Sequence, residues 1–306
     1  MKQIEKKVVR QPRGPMIMSA LGQFKADLVL KNANVLNVFT GEFMSRDVAV
    51  NGDTIIGVGE YQGASEYDLS GKYIVPGFID AHVHIESSML TPQAFAREVL
   101  RRGTTTLIAD PHEIANVCGE TGLKFMLNEA AEAPVNLYYM IPSCVPMGNF
   151  DTSGAVLSAA ALSKYVNHPA VLGLGEVMNT TGIMRCDSDL YQKLALYHEK
   201  VIDGHAPMIH GKMLQTYRLA GVMTDHESTS GEEAAEKLRA GLAVLIREGS
   251  GARNLDSLIQ ILVDGRMRTN RVAFCTDDKH MDDIRAEGHI DHHIRRSIQL
   301  DRKSVV

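Results

Sequence analysis

The residues in this chain that could do chemistry are histidines and carboxylates. Twelve histidines stand among 306 residues, and two of them, His82 and His84, are two positions apart. On a β-strand that spacing points both imidazoles to one face. Two imidazoles side by side suit a borderline divalent cation. Alone the pair is weak evidence, because chance supplies about half of one His-x-His in a chain of this histidine content. Its weight comes from the rest of the chain. Successive apolar runs end in the same residue types: Asp80, His82 and His84; Asp110, His112 and Glu113; Ser143 and Cys144; Glu176; His205; Asp225, His226 and Glu227; Arg247 and Glu248; Asp277 and Asp278. Unpaired buried charge is costly, so carboxylates and imidazoles gathered at one place call for a metal cation.

The elements that must gather them are legible in the rhythm of the sequence. After Pro76, eight short apolar runs, from GFIDAHVHI (77–85) to RVAFCTDD (271–278), alternate with seven mostly helical patterns. Strand and helix repeated eight times predicts a (β/α)8 barrel, an α/β fold whose catalytic groups project from the carboxyl ends of the strands. Within it, Thr91 reads as a helix N-cap, with Pro92 at the first helical position and Gly103 just past the end. Ser230 and Glu233 form a capping box before a helix that stops at Gly241. Upstream, residues 26–75 are short β-branched runs with a hairpin signal at Asn51-Gly52 and predict a small antiparallel sheet module. Residues 1–25 read as an N-terminal arm, irregular or briefly helical, and the barrel is expected over 76–300.

Composition excludes other classes. Hydrophobic residues make up 44% and charged residues 23% of the chain, enough for a large core and too apolar for disorder. Thirty-two basic residues face 37 acidic ones, a net charge of -5, which argues against a nucleic-acid or anionic-membrane surface. No run approaches the roughly 18 apolar residues of a membrane span, and no apolar stretch succeeds the basic start. The four cysteines are far apart with no CxxC, so a reducing cytoplasm is expected, with Cys144 and Cys275 as small core residues. Neither GxGxxG nor GxxxxGK[ST] occurs, which removes the common nucleotide-binding folds.

The segment IVPGFIDAHVHIE (74–86), behind a small β module, resembles the amidohydrolase superfamily of metal-dependent hydrolases. Its pattern is His-x-His on strand 1, a bridging Lys or Glu on strand 4, His on strands 5 and 6, and Asp on strand 8. His82, His84, Glu176, His205, His226 and Asp277 come in that order. The resemblance therefore implies that these six are ligands of a binuclear divalent-metal site, Mn2+ or Fe2+, with an unmodified glutamate in place of a carbamylated lysine. A finer resemblance is to the bacterial-type adenine deaminase family, in HVHIESSMLTP (82–92), IADPHEIANV (108–117), MIPSCVP (140–146), GLGEVMN (173–179), DGHAP (203–207), TDHES (224–228) and FCTDDKH (274–280). It implies a metal-activated hydroxide attacking C6 of adenine, with hypoxanthine and ammonia as products.

Under that resemblance Asp277 is the first choice for the proton carrier, with Glu113 and His280 as the other catalytic candidates. Glu86, His112 and Glu227 are candidates for gripping the purine, or else ordinary loop salt bridges and caps. Asp80 is expected to orient a ligand histidine, Asp110 to start a turn, and His292 and His293 to lie on a solvated helix face. Adenine is the expected small-molecule partner, with no nucleic-acid or membrane partner and with a homo-oligomer left open. The competing readings are another nucleobase deaminase or cyclic amidohydrolase, and a non-catalytic barrel. Relative to the family, the chain is expected to be a C-terminally truncated copy that stops inside helix 8 and leaves apolar surface exposed. Residues 301–306, DRKSVV, read as a non-native tail of the kind a common sequencing-adapter stretch encodes.

Overall fold

The β-branched runs and the helical patterns form separate structures. The computed structural model describes residues 13–148, 151–260 and 269–300. The chain divides into two compact units, 1–76 and 77–306. The first 12 residues of the expected arm, and the tail DRKSVV, lie outside the described residues; the rest of the arm contains a helix, Arg13–Ala20.

In the first unit, β1 (Ala26–Asn37) pairs antiparallel with β2 (Glu42–Asn51), and β2 with β3 (Thr54–Gly59). The hairpin forms at Asn51-Gly52, with Gly52 at φ 57°, a left-handed conformation that glycine adopts without steric cost. The sheet is mixed, however, not antiparallel throughout. β4 (Gly63–Asp68) and β5 (Tyr73–Ile74) run parallel to β1. Alternation of apolar residues reports which face is buried and says nothing about strand direction, so the sequence could not distinguish the two pairings. Val29 and Ala49 are packed on one core cluster and Ala33, Val35 and Val48 on another, while Phe39, Phe43 and Tyr73 are exposed.

The second unit contains all eight expected strands: β6 (Phe78–Val83), β7 (Thr104–Ala109), β8 (Asn136–Ile141), β9 (Val171–Val177), β10 (Val201–Gly204), β11 (Thr224–Asp225), β12 (Ala243–Arg247) and β13 (Val272–Cys275). Five form one parallel sheet in the order β10-β9-β8-β7-β6, and three form another, β11-β12-β13. Backbone hydrogen bonds join the two sheets at both seams. Met223 N–H donates to the Ile202 carbonyl (2.9 Å) beside β11, and Asp277 N–H to the His82 carbonyl (3.0 Å) beside β6. The result is a closed ring of parallel strands whose carboxyl ends share one face.

Local signals hold where the sequence placed them. The Thr91 hydroxyl accepts from Ala94 N–H ahead of the helix Pro92–Leu100, and Ser230 Oγ accepts from Glu233 N–H ahead of Gly231–Arg239. The last helical segment differs from expectation. It breaks at Gly288 (φ 113°) into Met281–Glu287 and Ile290–Leu300. His293 is fully buried, with Nε2 donating to the Cys275 carbonyl at 2.8 Å. It is therefore not on a solvated face: the second helix turns that side onto β13.

β11 has only two residues, and side chains support it. Asp225, fully buried, accepts from Ala206 N–H (3.0 Å), from Ser228, and from the buried ammonium of Lys237 at 2.8 Å. Breaking a buried pair by removing one partner costs about 3–5 kcal/mol. Lys237→Met should therefore destabilise the chain by about that amount in equilibrium urea unfolding. A loss under about 1 kcal/mol would show that Ser228 and Ala206 satisfy Asp225 by themselves.

Candidate metal centre

His82 lies on β6 and His84 just past its end; both are buried and their rings face the same interior. Each ring is fixed through its other nitrogen. His82 Nδ1 donates to Asp203 Oδ2 at 2.7 Å, and His84 Nδ1 to the Asp110 carbonyl at 2.9 Å. The acceptors have no protons to give, so both rings carry a proton on Nδ1 and leave Nε2 to take a second proton or a cation. Those two Nε2 atoms face each other at 3.1 Å. Two lone pairs at that distance repel unless a proton or a cation lies between them.

Carboxylate oxygens complete the arrangement. Asp277 Oδ1 is 3.2 Å and Glu176 Oε1 3.4 Å from His84 Nε2. The second oxygen of Glu176 faces the other way, 2.7 Å from His205 Nδ1 and 3.2 Å from His226 Nε2. Donors around one cation with bonds near 2.1 Å stand about 3.0–3.4 Å apart. Donor atoms of His82, His84 and Glu176, and again those of Glu176, His205 and His226, lie within 4.8 Å of one another. Glu176 belongs to both groups, one oxygen to each, which suits a carboxylate shared by two cations.

The electrostatics point the same way. Burial opposes charge on His82 and His84, yet Asp203 beside the first and Asp277 and Glu113 beside the second hold both well above the ordinary histidine pKa. Burial likewise opposes charge on Glu176 and Asp277, and the surrounding imidazoles hold both carboxyls well below the carboxylate range. A cavity of about 400 Å³ opens over the cluster. Its lining includes five carboxylates, Glu113, Glu176, Glu227, Asp277 and Asp278, and one guanidinium, Arg247. With the lining imidazoles of His84, His112 and His205 neutral, as metal ligation requires, the excess is four negative charges, as many positive charges as two divalent cations carry. The donor set therefore fits a binuclear divalent site.

Comparison with known proteins gives the family. The amidohydrolase family profile matches residues 73–281. The chain belongs to the amidohydrolase family. Among curated relatives of this amidohydrolase, the adenine deaminase of Clostridium acetobutylicum is 51% identical over 284 residues, covering 92% of this chain and 50% of that protein. The adenine deaminase of Desulfitobacterium hafniense is 49% identical over 281 residues, with 92% and 49% covered. The chain thus spans about half the length of the curated relatives it matches. N-acetylglucosamine-6-phosphate deacetylase from Pasteurella multocida superposes with a TM-score of 0.56 at 14% identity, over 83% of this chain and 72% of that one. A D-hydantoinase gives 0.55 at 14%, over 82% and 68%. At that identity the likeness is one of fold.

The remaining site expectations divide. Glu113 lines the cavity, its Oε1 3.4 Å from His84 Nδ1; His112 lines it too, Nδ1 3.4 Å from Glu176 Oε1. Burial works against charge on His112, but Asp110 beside it raises its pKa to about 9. Glu227 lines the cavity with its carboxylate engaged by Arg247. Glu86 is not among the lining residues. Its Oε1 accepts from Ile114 N–H at 3.4 Å, and burial together with Glu113 pushes its carboxyl up to about 8. His280 is exposed at the start of a helix, outside the cluster, because the chain turns outward two residues after Asp278.

Asp80 also departs from expectation. Its carboxylate accepts from Thr276 Oγ1 (2.5 Å) and N–H (3.0 Å), and lies 3.0 Å from His289 Nε2. The residue that orients the His82 ring is Asp203, which opens the DGHAP segment but is not among the candidate site residues. A signal for it exists: Asp203 precedes His205 by two, so on a strand it faces the same interior. Partners of this kind typically matter 10–100-fold in metal affinity. Asp203→Asn, which can present an N–H to His82 Nδ1, should weaken Mn2+ binding by about that factor with native circular dichroism. Unchanged affinity would remove His82 from the ligand set.

Proposed function

We propose that this barrel catalyses hydrolytic deamination of adenine to hypoxanthine and ammonia, with two divalent cations, Mn2+ or Fe2+, held by His82, His84, Glu176, His205, His226 and Asp277. The observation that carries the hydrolytic part is the division of Glu176, one oxygen toward His84 and the other toward His205 and His226. The purine part is supported by curated adenine deaminases at 51% and 49% identity over 92% of the chain. The four cysteines are all free, which supports a cytoplasmic setting, and a small-molecule partner suits the cavity size.

Bound there, the cations would supply Lewis acidity and a water acidic enough to react at neutral pH. The chain's own residues position the reaction. Water adds at C6, the C6–N6 bond breaks, and the amino group leaves as ammonia after gaining a proton. Asp277 is the carrier we assign for that proton, because its carboxylate lies against the His84 edge of the cluster and also lines the cavity. Its backbone is held at φ 56°, a conformation non-glycine residues rarely take, by hydrogen bonds to both His82 and His84. The backbone of Asp277 is thereby fixed beside both histidines. Glu113 stands at the more exposed side of the mouth, and His112 beside Glu176 offers an imidazole toward a purine nitrogen.

Two substitutions separate these roles. Asp277→Asn keeps the size and one oxygen, and should retain much of the metal while turnover of adenine falls on the order of 10²–10⁴-fold. Glu176→Gln replaces a shared anion with a neutral amide and should lose metal first. Metal content and ammonia release are measured for both. Near-normal turnover by metal-loaded Asp277→Asn would move the proton to Glu113. Failure of the metal-loaded parent chain to release ammonia from adenine, with release from another nucleobase or cyclic amide, would reassign the substrate.

A further inference from the structure

Arg247, at the carboxyl end of β12, belongs to neither the expected ligand set nor the expected acid–base groups, yet it lines the cavity and is 6% exposed. Its guanidinium is committed on three sides. Nη1 donates to Asp277 Oδ2 at 2.9 Å, Nη1 and Nη2 fork onto the Glu227 carboxylate, and Nε donates to Asn254 Oδ1 at 3.2 Å. The two carboxylates it joins belong to different halves of the donor cluster. Asp277 stands against His82 and His84, whereas Glu227 Oε1 is 3.6 Å from both His205 Nδ1 and His226 Nε2.

We propose that Arg247 is a positioning residue that spans the two cation positions, fixes the rotation of Asp277 and keeps Glu227 out of the ligand set. The proposal rests on the reading of the cluster as a binuclear metal site. Asp277 has two oxygens with separate partners. Oδ1 faces the imidazole edge and Oδ2 faces the guanidinium. Without the guanidinium, nothing on the cavity side distinguishes the oxygens, and the carboxylate can turn to offer both to a cation. Glu227, released at the same time, has an oxygen within reach of the His205–His226 half. Both changes place more negative charge at the metal positions, and loss of the guanidinium removes a positive one. Arg247 therefore trades metal affinity for geometry. A merely structural arginine would do the opposite: its removal would loosen the site and release metal.

The test uses the full chain, stripped with chelator and checked for native circular dichroism, in Arg247→Ala and Arg247→Lys forms. Arg247→Ala should bind Mn2+ at least about tenfold tighter than the parent in competition with a fluorescent chelator. Arg247→Lys keeps the charge without the planar fork, and its affinity should stay within about threefold of the parent. Turnover of adenine should fall roughly 10²-fold in both with KM little changed, since the loss is one of alignment. Guanidinium ion added to Arg247→Ala should restore turnover and weaken metal binding together. With Co2+ loaded, the visible absorption of Arg247→Lys should differ from that of the parent because Asp277 has turned. Folded Arg247→Ala that binds Mn2+ no tighter than the parent overturns the proposal. If Arg247→Ala does not fold, an unchanged Co2+ spectrum in Arg247→Lys overturns it. The metal and spectroscopic readouts do not depend on adenine, so an inactive parent chain tells against the purine reading and leaves this inference decided by affinity.

Discussion

Two backbone hydrogen bonds at one seam hold the barrel and its chemistry together. Asp277 N–H donates to the His82 carbonyl, and His84 N–H to the Asp277 carbonyl, at 3.0 and 3.2 Å. They join the last strand to the first, so the ring of strands closes where the donor cluster lies. They also hold Asp277 in a left-handed backbone conformation that costs of order 1–3 kcal/mol. Neighbouring structure must over-determine such a residue. Here Thr276 is tied to Asp80 on one side, and the Asp277 side chain is tied to Arg247 on the other.

The polar residues around the cluster answer to a second constraint. Buried acids near a cation site must be matched, or they draw protons instead of metal. Asp203 is matched by His82, Thr224 and Gly204 N–H; Asp110 accepts from Glu176 N–H; Asp225 is matched by Lys237. Each of these partners fixes a strand end or a ring.

Much of this was legible in the residues alone. The two-residue spacing of His82 and His84 dictated a shared face. Alternation of apolar runs with helical patterns dictated eight parallel strands, and Thr91 and Ser230 marked helix starts that their own side chains cap. These features are local: each depends on the period of a strand or helix, or on a hydrogen bond spanning three residues. Asp203 was also within reach of the same argument, two residues before His205.

What only the tertiary structure decided are pairings across long separations and the direction of side chains at loop ends. Nothing in FCTDDKH distinguishes Asp277, which closes the seam, from His280, which faces solvent. Nothing near His293 shows that β13 will cover it. Parallel pairing of β4 and β5 with β1 leaves no trace in apolar alternation. Arg247 meets Glu227 and Asp277 across 20 and 30 residues, and its fork depends on three strand ends converging. Sequence periodicity carries the repeat of one element. The closure of the barrel selects which members of different elements meet, because only closure sets the distances between them.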